Sequence, residues 1–498
     1  MQVGTCRPGM TLRSCLMSLV VGTIATAGTY AHDDTPASAP TGRPGALVAS
    51  DTPGPLERAF SDVAARILRA AEAGTNAWSR LEVLCDEIGP RLSGSAALEK
   101  AIAWAQEEMK RDGLENVRAE PVMVRRWVRG NESLTLLAPR EAKLAMLGLG
   151  GSIGTPPEGI EGEVLVVDSF EALEQLGENA AAGKIVLFNV PMPQYSEQTG
   201  SGYGRTVRYR TNGPDAAAKA GAVACLVRSV TATAMYSPHT GATGRGQPSK
   251  IPAAAITVED AEMMARLSRR NVPIRVRLFM EARDEGQAPS ANVVAELVGR
   301  EKPDEIVIVS GHYDSWDVGC GAHDDGGPCM AAWEAVSLLK RLDLRPRRTI
   351  RVVLWTNEEN GLAGGTEYRK THAADLAKHV AAIETDSGVF APQGFSIQMS
   401  DREKQDRAAA QLADIVGLLR PIGATRVTPG YSGADIGDLS KSGVACLGLD
   451  VDASRYFDYH HAPVDTLDKI DRQTLDRNVA ALAVMAYALA EMPGRLGD

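Results

Sequence analysis

Four short apolar runs in this chain each lead into side chains of the kind that bind metals, and that recurrence constrains the fold more than any other feature. Residues 305–310 run into Gly311-His312-Tyr313-Asp314, with Ala322-His323-Asp324-Asp325-Gly326-Gly327 shortly after. Residues 349–356 precede Glu358-Glu359, residues 379–385 precede Asp386, and residues 444–451 lead through Tyr459 to His461. Short β-branched runs separated by helical stretches read as βαβ units. In open α/β sheets ligands gather at the carboxyl ends of such strands. The predicted fold class is therefore α/β, with one site assembled from many strand ends.

Four or more carboxylates gathered in one crevice repel each other and lose hydration unless a cation compensates them. Imidazole with carboxylate oxygen suits zinc, and three protein ligands with an open position mark a catalytic rather than a structural site. Two His and three carboxylates satisfy two such ions if one carboxylate bridges them, at the ~3.5–4 Å separation of paired metals. These residues predict a cocatalytic centre of two Zn2+ ions.

At 498 residues the chain is too long for one simple core. Its net charge of −10 argues against nucleic acid or an acidic membrane surface as partner. Residues 1–31 combine Arg7 and Arg13 with an apolar run at 15–24 and small-residue cleavage options after Ala27 or Ala31, the pattern of a signal peptide. That run is well short of the ~20 apolar residues of a spanning helix, so no stable membrane insertion is expected. A secreted or periplasmic product follows, or an organelle lumen in a eukaryote. Residues 32–55, rich in Pro, Ala, Thr, Gly and Asp, are expected to form a disordered tether. Five cysteines follow the leader, an odd number that is no disulfide framework. Cys320 and Cys329, flanking Asp324, either bridge or stay as buried thiols.

Apolar and charged positions alternate at helical spacing over 56–117, with a turn at 89–95. A Gly-rich connector at 148–154 followed by Pro156-Pro157 predicts a boundary. Beyond it, strands are expected at 162–167, 184–189, 221–227 and 253–257, with helices at 215–220 and 258–267. No ligand-type cluster falls there, so 156–285 is expected to be an inserted non-catalytic domain between the catalytic parts 56–155 and 286–498. The stretches 195–204 and 236–247 are candidate mobile loops near the cleft, or else plain connectors. Pro328 predicts the start of a helix reaching about residue 342, ended by Arg345-Pro346. A last helix over 474–491 is expected to pack an apolar face on the sheet.

Residues 89–95, 148–160, 236–241, 256–264, 310–327, 354–359 and 460–466 closely resemble the carboxypeptidase Q type, within the clan of cocatalytic zinc aminopeptidases and glutamate carboxypeptidases. The resemblance implies the zinc exopeptidase fold, a central mixed sheet flanked by helices, with an insert similar to a protease-associated domain. It implies Asp324 as the bridging carboxylate, His312 and Asp386 completing one ion, and Glu359 and His461 the other. Glu358 matches the general base, Asp314 the carboxylate that orients the His312 ring, and Tyr431 the phenol that stabilises an oxyanion. His323 and His460 match no metal position. Asp317, Asp325, Asp435 and Asp450 read as loop-holding carboxylates, and Trp316 and Trp355 as core or cleft wall. Related enzymes carry a cis peptide after the bridging aspartate, so Asp324–Asp325 is expected to be cis.

The function so implied is an exported dizinc exopeptidase that hydrolyses dipeptides or small peptides with free termini and assembles as a homodimer. An aminopeptidase acting on longer peptides fits the same motifs. A non-catalytic, receptor-like relative of this fold would have lost metal ligands, and here all five are present.

Overall fold

Eight consecutive residues of Arg348–Trp355 are buried, and so is the second half of Lys302–His312; the two strands pair in parallel. Such runs need cover on both faces. Val307 and Val309 face a large core with the helices Gly327–Arg341 and Arg472–Glu491, while Ile306 and Ile308 face a smaller one with Tyr368 and Leu439. This computed structural model describes residues 46–244 and 248–498. The leader and most of the expected tether lie outside them.

The central sheet has nine strands. Their order is Leu47–Val48, Arg426–Pro429, Pro392–Gln398, Ala445–Val451, His379–Glu384, Lys302–His312, Arg348–Trp355, Arg283–Leu297 and Glu115–Val128. The four strands from Ala445–Val451 to Arg348–Trp355 run parallel, and antiparallel partners close both sides. It is a mixed α/β sheet flanked by helices. Helix Arg472–Glu491 begins two residues before the expected start, with the Asp471 carboxylate accepting from the Thr474 amide at 2.8 Å. Its apolar face packs on helices Gly327–Arg341 and Pro55–Glu72 and on the sheet.

Part of the expected tether is ordered. Leu47 and Val48 add an antiparallel edge to Arg426–Pro429, and the Arg420 guanidinium donates to the Ser50 carbonyl. Backbone hydrogen bonds hold this segment, and composition carries no trace of those.

A second sheet of eight strands runs Ala142–Leu144, Glu132–Ala138, Arg275–Met280, Ile160–Val167, Ile185–Phe188, Ala224–Arg228, Ala253–Ile256 and Met146–Gly148. It begins upstream of residue 156, because Met146–Gly148 pairs with Ala253–Ile256 and Glu132–Ala138 with Arg275–Met280. The connector at 148–154 thus starts inside an edge strand. Gly150 is required there: a Cβ would lie 2.1 Å from the Trp316 ring. Helix Val258–Arg269 starts at the expected point, capped by the Thr257 hydroxyl. Among the described residues no helix is long and apolar enough to cross a membrane.

Candidate metal centre

Three of the predicted ligands stand at or just past the carboxyl end of a central strand, and Asp324 and His461 lie on the longer connections that follow two of them. His312 ends its strand, Asp386 lies two residues past His379–Glu384, and Glu359 follows Arg348–Trp355 through a short turn. Asp324 sits in the loop that enters helix Gly327–Arg341, and the Asp324–Asp325 peptide is cis, as expected. Behind it the chain has no room for side chains: a Cβ at Gly326 would meet the Gly321 carbonyl at 2.6 Å, and one at Gly327 the Val389 side chain at 2.5 Å.

Asp324 reaches two ways. Its Oδ1 is 3.2 Å from His312 Nε2, which is also 3.5 Å from Asp386 Oδ1. Its Oδ2 is 3.3 Å from His461 Nε2, which in turn is 3.0 Å from Glu359 Oε2. The structure therefore brings all five predicted ligands together in two lobes joined by one carboxylate.

Supporting groups fix this geometry. Asp314, fully buried, accepts from the amides of Glu358 and Glu359 at 3.0 and 3.4 Å and from the Ser93 hydroxyl at 2.8 Å. The contact of His312 Nδ1 is with the Asp314 carbonyl at 3.0 Å, closer than its carboxylate at 3.9 Å. Asp314 orients the imidazole through its backbone and uses its carboxylate to hold the Glu358-Glu359 turn. Arg91 donates to the carbonyls of Tyr313, Cys320 and Gly321, and Asp465 accepts from the amides of His323 and Asp324. Arg91 and Asp465 lie inside matching stretches, but only the fold shows which backbone groups they satisfy.

The remaining sequence expectations divide. His323 stands apart, stacked between Phe390 and Tyr459 with Nδ1 accepting from the Val389 amide, and burial pushes it down to about 3. His460 is nearer than expected: it stacks on His461 with ring centroids 3.5 Å apart, its Nε2 3.9 Å from Asp324 Oδ2. Asp325 holds its loop by accepting from the His312 amide at 3.0 Å. Asp317 instead pairs with the Arg129 side chain, and both buried Asp435 oxygens lack a hydrogen-bond partner. The carboxylate that holds the Asp435 loop is Glu384, which accepts from the amides of Asp435 and Ile436. Tyr431 lies close to Glu384, Asp386 and Glu358; burial, then those charges, push its phenol well above the usual range. Trp316 lines the centre, its amide donating to Glu359 Oε1, whereas Trp355 is core. Cys320 and Cys329 form no disulfide, and the Cys329 thiol donates to the His312 carbonyl.

The second sheet also reaches this centre, which its sequence did not announce. The Thr240 amide donates to the His461 carbonyl at 2.9 Å. Arg210 Nη1 lies 3.4 Å from both His461 Nδ1 and the Thr240 carbonyl. His461 sits at φ 59°, a left-handed conformation that costs a non-glycine residue roughly 1–2 kcal/mol. The Thr240 bond opposes that cost. Ser237, His239, Thr240 and Thr243 are buried, so the candidate mobile loop at 236–247 is, over these residues, a packed part of the site.

The donor chemistry fits divalent metal. Burial, then mutual repulsion, raise Glu359 and Asp325 well above the usual carboxylate range, and burial raises Asp386 and Asp314 too. Burial opposes charge on His312, yet Asp324 and Asp386 hold it well above its ordinary value; burial and His460 push His461 far below. Asp324 Oδ2 is buried without a hydrogen-bond partner. Carboxylates crowded against their own repulsion, with an orphaned oxygen at the junction, form a set that a cation stabilises.

Comparison with known proteins agrees with this geometry. Residues 292–486 match peptidase family M28. The chain is 45% identical to carboxypeptidase Q of Bos taurus over 438 residues, covering 87% of this chain and 90% of that one. It shares 33% identity and a TM-score of 0.83 with the crystal structure of a peptidase M28 precursor from Shewanella amazonensis, across 88% of this chain and 98% of that one. A zinc aminopeptidase from Bacillus subtilis shares the fold at 19% identity and a TM-score of 0.61, over 85% and 97% of the two chains. The chain belongs to peptidase family M28, as a metallopeptidase of the carboxypeptidase Q type.

Proposed function

We propose that this metallopeptidase is a dizinc exopeptidase that hydrolyses dipeptides or small peptides with free termini. The observation that carries the reading is the two-sided reach of Asp324, 3.2 Å to His312 and 3.3 Å to His461. In it, His312 and Asp386 would hold one zinc ion and Glu359 and His461 the other, with Asp324 shared between them. Zinc so held supplies Lewis acidity and lowers the pKa of water.

Glu358 takes the proton of the attacking water and returns it to the leaving amine. Asp314, accepting from the amides of Glu358 and Glu359, keeps the base and the adjacent ligand in fixed relation. Tyr431, held protonated by burial and nearby carboxylates, donates its O–H to the oxyanion of the tetrahedral intermediate. The second sheet, with Thr240 and Arg210 beside His461, acts as the protease-associated-like insert. Export and a homodimer belong to the same reading, supported by the leader-like composition of residues 1–31 and by the likeness to carboxypeptidase Q.

Metal analysis of the purified enzyme is expected to find close to two zinc equivalents. A panel of free dipeptides, terminally blocked dipeptides and longer peptides is expected to show fastest release from the free dipeptides. One metal with full activity would overturn the dizinc reading. Stepwise trimming of long peptides from the amino end, with slow dipeptide hydrolysis, would favour the aminopeptidase alternative.

A further inference from the structure

Cys85 and Cys320 are far apart in sequence and meet beside the loop that carries Asp324. Cys85 belongs to the wide turn Val83–Ile88, and Cys320 stands four residues before Asp324. They are 7% and 8% exposed, and both line one surface depression of about 550 Å³ with Trp78, Pro90 and Leu467. That volume suffices to admit a small organic molecule. The two thiols lie close enough to influence each other's ionisation.

Packing around the pair is independent of the thiols. Leu84, next to Cys85, reaches the loop at Gly326, and Arg91 donates to the carbonyls of Cys320 and Gly321. The other three cysteines of the described residues are committed elsewhere: Cys225 and Cys446 lie within strands, and Cys329 bonds the His312 carbonyl.

The nearby Arg91 guanidinium favours the thiolate at either cysteine, and the Leu467 backbone adds to this at Cys320 alone. Cys320 is therefore placed to attack and Cys85 to resolve.

We propose that Cys85 and Cys320 form a redox-modification site that accepts a small disulfide oxidant and closes to an intramolecular disulfide, tying the Asp324 loop to the Val83–Ile88 turn. The Cys320 thiolate attacks one sulfur of the oxidant, forming a mixed disulfide and releasing the first oxidant thiol. Cys85 then gives up its proton to solvent and attacks the Cys320 sulfur, releasing the second oxidant thiol. The two protein thiols lose two electrons and two protons, and the oxidant disulfide gains them as two thiols. The consequence is a loop that opens less readily, so the centre releases metal more slowly.

The test incubates the full-length enzyme in glutathione buffers of graded oxidation, alkylates free thiols and maps non-reduced peptides by mass spectrometry. A peptide linking Cys85 to Cys320 is expected, with Cys225, Cys329 and Cys446 alkylated. The oxidised enzyme is expected to lose zinc to a chelator about tenfold more slowly, within what a cross-link over a long loop is able to provide, and dithiothreitol is expected to reverse this. Cys85→Ser and Cys320→Ser should each abolish both effects, while Cys446→Ser keeps them. Free thiols at 85 and 320 in oxidising buffer, a stable glutathione adduct alone, or a Cys320–Cys329 link would each overturn the proposal. The wild-type peptide map decides even if a variant fails to fold.

Discussion

The two sheets contribute to one site by different means. The nine-stranded sheet delivers side chains, with His312, Asp386 and Glu359 at or just past strand ends and Asp324 in the loop between strand and helix. The eight-stranded sheet delivers mostly backbone, through the connection between Ala224–Arg228 and Ala253–Ile256: Thr240 holds His461, and Gly241 leaves space for Arg210, since a Cβ there would lie 2.3 Å from the guanidinium carbon. A site can therefore depend on a region whose sequence carries no ligand-type cluster. Side-chain chemistry leaves letters behind, whereas a carbonyl or an amide belongs to every residue.

The largest effect that would sharpen this contrast comes from the shared carboxylate. Asp324→Ala is expected to empty both lobes and abolish measurable turnover, because one residue serves His312 and His461 together. Atomic absorption on the purified variant checks it, and one fully retained metal would break the two-lobe description.

Next come the adjacent glutamates. Glu358→Gln is expected to keep metal and fold while cutting turnover by ~10² or more, the loss of a positioned base. Glu359→Gln should instead lower metal occupancy, since its carboxylate is 3.0 Å from His461. Paired metal and rate measurements decide, and reversed behaviour would exchange the two roles.

A smaller effect tests the second sheet. Gly241→Ala forces a side chain into the Arg210 position at φ 132°, and displacement of about an ångström beside a ligand is expected to cost roughly tenfold in kcat/KM. Zinc content should stay unchanged. Full activity would show that the eight-stranded sheet is only a neighbour.

The smallest is a pH effect on the metal-free protein. Burial, then the Asp386 charge, push Glu384 up to about 8 from an ordinary 4.5. A carboxyl raised in the folded state adds stability that is fully present below its unfolded value and lost as pH rises through the folded one. Chelator-treated enzyme is therefore expected to melt several degrees lower at pH 8 than at pH 5, and Glu384→Gln should flatten the trend. Calorimetry at the two pH values measures it.

Much of this was legible beforehand. The runs at 349–356 and 379–385 fall within a residue of the observed strand ends and 305–310 lies inside Lys302–His312, because continuous β-branched runs have few alternatives to a strand covered on both faces. The five ligand-type residues stood out because carboxylates and imidazoles after such runs are costly unless partnered. The tether failed at Leu47–Val48, and the second sheet began earlier than the Gly-rich connector suggested, in both cases through main-chain pairing. The role given to Asp435 passed to Glu384, as a buried carboxylate ending a strand and one in a loop look alike in sequence.

By itself, then, the sequence determined the residue types, the strand ends that carry them and the family they belong to, since each is a local property of side chains. The tertiary structure decided which oxygen of Asp324 faces which histidine, that Asp465 and Arg91 hold the loop, that Cys320 meets Cys85 rather than Cys329, and that Thr240 supports His461. Those relations join segments far apart in the chain through backbone groups and packing, and no local pattern encodes a partner that only folding brings near.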